Sequence, residues 1–471
     1  MKVVLINPPP GSAQGINSAM IMPPLGLLYL GAVLERGGHD VRVIDAHLMD
    51  LDCSRIAGQF NHKPDLIGLS TTITNYKKSL ECAHMLKKTY PDSLVVLGGP
   101  YVSSLSEFDF NKAKGVDGVV VGEGELTLLE VAGSLSHKDK LANIKGFRFK
   151  GSPRDAYGHS RPLISDLDSL PLPAYHLLPE LRQYKTRSRS SPVGFIFTSR
   201  GCPSRCTFCN RSIFGYSWRA HSPERVIREI DHLVRNYGIK QLDILDDNFC
   251  LDKERAKKIL EGIISSGHKL WVNLQHGVRI DSIDEELLLK MKKAGVFKIG
   301  FAIETADPNI QTSIKKKIDL PRALGITKAA RALGFITHAF FILGFPGDTQ
   351  ATMRKTIDFS IRLDPHFANF AICCPMPGTE MFEEIRPRVQ FLQDMEGGVD
   401  SGFFGNKAFF ASDSLTERNV VLSFRVAYRR FYLRARKIVD ILRTIRSLDE
   451  LKWFLRAFFD SMRIAIKNVC P

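Results

Sequence analysis

The sequence predicts an α/β chain in four parts. These are a doubly wound parallel sheet over 1–140, a linker over 141–190, a partial (β/α)6 barrel over 191–385 and a basic amphipathic helical region over 386–471. Three observations carry this expectation. Short apolar runs alternate with helix-length stretches from Val3 to Ser134, the pattern of a parallel sheet covered on both faces. Six more strand-like runs, separated by helical stretches, lie between Phe195 and Ile372. Residues 421–471 then hold 12 Lys or Arg against 4 Asp or Glu, so much of the net charge of +15 sits in the tail.

At 471 residues the chain is too long for one ordinary core. A hydrophobic content of 44% excludes a disordered protein. Nowhere do about 18 apolar residues run together, so no membrane-spanning helix is expected. The opening Met1-Lys2-Val3-Val4-Leu5-Ile6-Asn7 is too short an apolar stretch for a signal peptide. Nine cysteines without an export signal argue against a disulfide scaffold. A reduced, cytoplasmic setting is the expectation.

In the first part, Val3–Asn7, Val41–Asp45, Leu66–Ser70, Leu94–Gly98 and Gly118–Gly122 read as strands. Helices are expected over Leu25–Arg36, Tyr76–Lys88 and Glu125–Ser134, the first closed by Gly37-Gly38. Such sheets bind ligands beyond the carboxyl ends of their strands. Asn7-Pro8-Pro9, Asp45, Ser70-Thr71-Thr72, Gly98-Gly99-Pro100 and Gly122-Glu123-Gly124-Glu125 lie there. Small and hydroxylated residues leave room for a bulky ligand, and glycines let the backbone approach it.

With Pro24-Leu25-Gly26, these residues make 1–135 resemble the flavodoxin- or Rossmann-like cobalamin-binding domain of cobalamin-dependent radical S-adenosylmethionine (SAM) enzymes. The resemblance implies that Ser70, Thr72, Gly98, Gly99 and Glu123 contact cobalamin. Many cobalamin proteins ligate cobalt through an Asp-x-His-x-x-Gly loop after the first strand. The nearest match here, Asp45-Ala46-His47-Leu48-Met49-Asp50, follows the second strand and ends in Asp. His47 therefore reads as a loop residue, and cobalt as lacking a lower histidine.

The linker holds Leu170-Pro171-Leu172-Pro173-Ala174, expected to be extended, and the basic run Lys185–Ser190. A strand over Phe195–Ser199 then enters Arg200-Gly201-Cys202-Pro203-Ser204-Arg205-Cys206-Thr207-Phe208-Cys209. Three thiolates at the spacing CxxxCxxC can surround one metal centre. An ordinary [4Fe–4S] cluster takes four. Three leave one iron open, and an open position marks a catalytic centre. Zinc is the competing reading and needs a fourth ligand nearby, for which His221 and Cys250 are the nearest candidates.

The triplet, with Phe208 before its last cysteine, resembles that of the radical SAM superfamily. The resemblance implies a [4Fe–4S] cluster on Cys202, Cys206 and Cys209 that cleaves SAM to a 5′-deoxyadenosyl radical. It also implies SAM contacts at Phe208, Glu304, Asp246 and Gly344. Asp246 and Asp247 are adjacent, so at most one should face the site. Further barrel strands are expected over Leu242–Asp246, Trp271–Gln275, Phe297–Ala302, His338–Leu343 and Phe367–Ile372. The clearest helix is Pro223–Tyr237, with Ser222 as N-cap and Gly238 as its stop. Cys373 and Cys374 read as buried or partly buried thiols. Cys53, Cys82 and Cys470 carry no evident role, and Gly397–Gly405 reads as a loop.

In the tail, Phe424, Tyr428, Phe431, Ala435, Ile438, Leu442 and Ile445 recur at helical spacing, followed by Leu451, Phe454, Leu455, Phe458, Met462 and Ile466. Three readings stand: helices packed on the main body with a solvated basic face, docking of 421–466 to an anionic membrane surface or lipid-like substrate, and RNA binding, the least favoured. The resemblance implies methylation of an unactivated carbon of a small natural product or lipid-like substrate, fed by a flavodoxin- or ferredoxin-type electron donor. Its alternatives are ring formation or rearrangement without net methyl transfer, RNA modification, or a corrinoid sensor without catalysis.

Overall fold

The computed structural model describes residues 1–11, 21–150, 160–184, 188–388, 408, 415–446 and 450–451. Among these, the strands form two six-stranded sheets and a two-stranded clip. The first sheet comprises β1 (Lys2–Asn7), β2 (Asp40–Asp45), β3 (Leu66–Ser70), β4 (Leu94–Gly98), β5 (Gly118–Val120) and β6 (Phe147–Phe149), in the order β2-β1-β3-β4-β5-β6. All its pairings are parallel except β5 with β6. Val3, Val4, Leu5 and Ile6 are buried in succession, as a strand covered on both faces requires.

β6 lies within the stretch read as a linker. It docks because Gly118 has no side chain: a Cβ there would meet the Phe147 ring at 2.3 Å. Beyond it the linker forms three short 3-10 turns, Leu167–Ser169, Tyr175–Leu177 and Leu181–Gln183, each placing an apolar residue in the core. Tyr184 donates to Asp45 at 3.0 Å, and Tyr175 to the Phe195 carbonyl, so this segment is bonded to both large sheets.

The second sheet is β7 (Val193–Ile196), β10 (Gln241–Ile244), β11 (Trp271–Val278), β12 (Val296–Glu304), β13 (Ile336–Leu343) and β14 (Phe367–Ile372). It runs β14-β13-β12-β11-β10-β7 with every pairing parallel, and its end strands do not pair: an open barrel. Between β7 and β10, β8 (Ser199–Arg200) pairs antiparallel with β9 (Arg219–Ala220). The helix Pro223–Tyr237 follows. Ser222 accepts from the Arg225 amide, and Gly238 ends the helix in the left-handed region at φ +60°.

The tail departs from a single stripe. Helix Glu417–Tyr432 buries Phe424, Ala427 and Phe431, and Tyr428 and Tyr432 bond to β14. The helix then breaks, and Ala435–Leu442 starts again in a new register. Lys437 and Ile441 turn inward, while Ala435 and Leu442, expected to pack, are exposed. The second stripe beyond Leu451, the loop 397–405 and Cys470 lie outside the described residues. Cys53 and Cys82 do have a role: they form a disulfide, their Cα atoms 4.7 Å apart. No helix among the described residues is long and apolar enough to cross a membrane.

Candidate functional site

The carboxyl ends of both large sheets open onto one cavity of about 780 Å³. From the first sheet Ser70, Thr72, Gly98, Gly99 and Glu123 line it; from the barrel side Cys202, Cys206, Cys209, Phe208 and Glu304 do so. His47 lies in a turn outside this lining.

The loop from Gly201 to Trp218 carries the three cysteines, and the β8–β9 clip closes its neck. Gly201 sits at φ +80°, where a Cβ would lie 2.2 Å from the Ser217 carbonyl oxygen, so only glycine allows this return. Burial raises the thiol pKa of Cys206, while Cys209 is exposed to the cavity and loses enough water to the surrounding walls for its thiol to be pushed up to about 11. Arg211, whose guanidinium donates to the Cys202 carbonyl, works against both shifts and favours thiolate.

Phe208 packs against Phe345, with ring centroids 5.5 Å apart. Glu304 ends β12 at φ +70°, a left-handed conformation that costs a non-glycine residue about 1–3 kcal/mol and clusters at functional sites. Its buried carboxylate lies 3.3 Å from the Lys316 ammonium.

Two expected contacts are placed elsewhere. Asp246 is buried outside the cavity lining and accepts from the Thr198 amide and from the Thr198 and Ser199 hydroxyls. Its neighbour Asp247 is the one that lines the cavity. β10 ends at Ile244, so the alternation of a strand does not reach this pair. Gly344 also lies outside the lining; a Cβ there would meet Val420 of the tail helix at 2.8 Å. Glu123 does reach the cavity, but its carboxylate is held in ion pairs with Arg200 and Arg219.

The candidates for a fourth zinc ligand are engaged or remote. His221 is bonded through Nδ1 to Asp168 at 3.0 Å, and Cys250 is wholly buried outside the lining. No three His, Cys, Asp or Glu side chains among the described residues converge closely enough for a single ion. A cluster spreads its ligands over separate irons, and three thiols along one wall fit that looser need. On the first-sheet side Ser70, Thr72, Gly98 and Gly99 line the same cavity, small residues that leave room for a bulky ligand. Cys373 is buried and Cys374 partly so, both beside methionine sulfurs.

Arg211, Arg279, Lys316 and Asp247 also line the cavity. Arg211 follows the last cysteine by two positions, which was a usable signal. Lys316 lies in the run Lys315-Lys316-Lys317, indistinguishable in sequence from a solvated charge run.

A largely parallel sheet and an open barrel thus share one thiol-lined cavity. The radical SAM superfamily model matches residues 196–360, and the B12 binding domain model residues 11–132. The chain is 37% identical over 387 residues to an uncharacterized methyltransferase of Pyrococcus horikoshii, covering 81% of this chain and 83% of that one. It is 28% identical over 422 residues to the cytidylyl-2-hydroxyethylphosphonate methyltransferase of Streptomyces wedmorensis, 77% of each chain. In fold it is similar to the cobalamin-dependent SAM radical enzyme OxsB with aqua-cobalamin bound, with a TM-score of 0.71 at 18% identity over 98% of this chain and 72% of that one. The chain belongs to the cobalamin-binding radical SAM enzymes, with methyltransferases among its relatives. Its cofactors are a [4Fe–4S] cluster, SAM and cobalamin.

Proposed function

We propose that the protein methylates an unactivated carbon of a hydrophobic small molecule. One observation carries this reading: the cysteine loop and the Gly98-Gly99 turn line the same cavity, so both cofactors and a substrate can meet there. In this reading Cys202, Cys206 and Cys209 hold the cluster, Phe208 and Glu304 contact SAM, and Ser70, Thr72, Gly98 and Gly99 contact cobalamin. When bound, these groups supply reductive cleavage of SAM and carriage of its methyl group. The chain orients the reactants and keeps water out, which reactive intermediates require. Met22, Leu30, Ile73, Leu128, Ile213 and Phe214 give the cavity an apolar wall, which supports a hydrophobic acceptor.

Anaerobic reconstitution with iron, sulfide and hydroxocobalamin, with a flavodoxin or ferredoxin as donor, tests this. Mass spectrometry should find 5′-deoxyadenosine together with S-adenosylhomocysteine in the presence of a hydrophobic acceptor. Alanine at Cys202, Cys206 or Cys209 should abolish the first product; full turnover in any one variant, or zinc in place of iron in the purified protein, would refute the assignment. Helix Ala435–Leu442 exposes Val439 and Leu442 beside Arg436 and Arg443, which supports contact with the membrane holding such a substrate. Co-sedimentation with vesicles containing anionic lipid, lost at high salt, is the expected result.

A further inference from the structure

The β8–β9 clip has an unusual composition. Arg200 and Arg219 are direct register partners across it, and like charges directly opposite one another on paired strands destabilise. Both reach one carboxylate carried by the loop that follows β5 of the first sheet. Arg200 Nη1 lies 2.8 Å from Glu123 Oε1, and Arg219 Nη1 lies 2.9 Å from Glu123 Oε2. Arg200 Nη2 also meets Glu125 Oε1 at 2.7 Å, and the Ile164 amide donates to Glu123 at 2.8 Å. Side-chain exposure is 3% for Arg200 and Glu123, 7% for Glu125 and 11% for Arg219. The Tyr29 ring covers the Arg200 guanidinium at 4.9 Å. At this depth, removing one partner strands an uncompensated charge.

The placement gives the cluster of charges its meaning. Glu123 sits in the loop after β5, between Gly122 and Gly124, on the wall assigned to cobalamin. The two arginines sit at the two ends of the segment that carries the cysteines, Arg200 only two residues before Cys202. We propose that Glu123 is a positioning residue: it clasps the neck of the cysteine loop and fixes that loop against the cobalamin-facing loop of the first sheet. This rests on the assignment of the three cysteines as cluster ligands, and it means that Glu123, with Glu125 as a second hold on Arg200, sets the spacing between the cluster and cobalamin.

Hydrogen exchange on the full chain without cofactors tests the clasp by itself. In Glu123→Gln the amides of 201–218 should exchange at least tenfold faster, while those of β3 and β10 keep their rates. Adding Arg219→Gln to that variant should restore most of the protection, because one of the two facing charges is gone; a general loss of stability would only deepen. Should Glu123→Gln fail to fold, Arg219→Gln alone, which keeps the Arg200 pair, should loosen 214–220 and nothing else. Unchanged exchange at 201–218, or uniform acceleration in both sheets, overturns the clasp. In the reconstituted holoenzyme, pulsed electron paramagnetic resonance between cob(II)alamin and the reduced cluster should give a distance distribution at least twice as wide in Glu123→Gln and narrower again in the double variant. An unchanged width overturns the positioning role. A protein that never takes up cluster or cobalamin defeats the cofactor assignment while the exchange result stands.

Discussion

At Gly99 the backbone takes φ +101° and ψ −179°, a region open essentially to glycine alone. A Cβ would also lie 2.7 Å from the Thr71 carbonyl oxygen and 2.9 Å from its nitrogen. Gly99→Ala should therefore cost about 1–3 kcal/mol in a urea melt, and weaken hydroxocobalamin binding at least tenfold in an absorbance titration. The two neighbouring aspartates should separate as cleanly. Asp246→Asn leaves buried donors on Thr198 and Ser199 poorly met and should cost about 1–3 kcal/mol. Asp247→Asn, on the exposed cavity wall, should cost far less while raising the KM for SAM. That Cys202, Cys206 and Cys209 meet at one cavity was legible because their close spacing in one loop lets three thiols share a wall. The aspartate phase was not, since the strand ends before them. Nor was the engagement of Glu123, because its partners lie 77 and 96 residues away along the chain.

Elements followed the sequence where local chemistry marks their ends. Leu25–Arg36, Leu66–Ser70, Leu94–Gly98, Pro223–Tyr237 and Phe367–Ile372 have the expected bounds, each set by a glycine, a cap or a sharp change of polarity. β6 and the β8–β9 clip are three and two residues long and carry no periodic signal. The break after Tyr432 was hidden because the apolar spacing continues through it. What holds Ala435–Leu442 is polar. Lys437 lies 2.7 Å from Asp364 and 3.1 Å from Asp440, and Arg331 lies 2.9 Å from Asp440. His366 packs among these groups, and burial, with the Arg331 charge next, pushes its pKa down to about 4. Its neutral form is favoured in the folded state, so its contribution is complete above an unfolded pKa of about 6.5. That contribution is lost as pH falls from there through about 4. His221 acts in the same direction, whereas buried Glu229 and Asp243, pushed up to about 7 and about 6, lose stability as pH rises. The overall slope mixes opposed signs, but a comparison isolates one group. His366→Asn should gain stability relative to the parent as pH drops from 6.5 to 4, by about 1.4 kcal/mol per unit at most, read from urea melts at matched pH.

For the whole molecule, the question is whether the two sheets behave as separate bodies or as one. The linker turns pack into the core, Tyr184 and Tyr175 bond to opposite sheets, and the Glu123 ion pairs cross the cavity wall. These contacts argue for coupled unfolding. The tryptophans provide a one-sided probe, because all three lie at or beyond position 218 and none lies in the first sheet. Hydroxocobalamin contacts the first sheet through Ser70, Thr72, Gly98 and Gly99 in the proposed reading. A ligand that binds only the folded state stabilises it by about 2.7 kcal/mol at a hundredfold excess over its Kd. If the sheets unfold together, that stabilisation appears in full in the urea midpoint followed by tryptophan fluorescence, although no tryptophan belongs to the sheet it contacts. If they unfold independently, far-ultraviolet circular dichroism splits into two transitions and the tryptophan midpoint stays where it was. The expected result is a single shifted transition in both signals. Glu123→Gln should uncouple it, moving the circular dichroism midpoint on cobalamin addition more than the tryptophan midpoint.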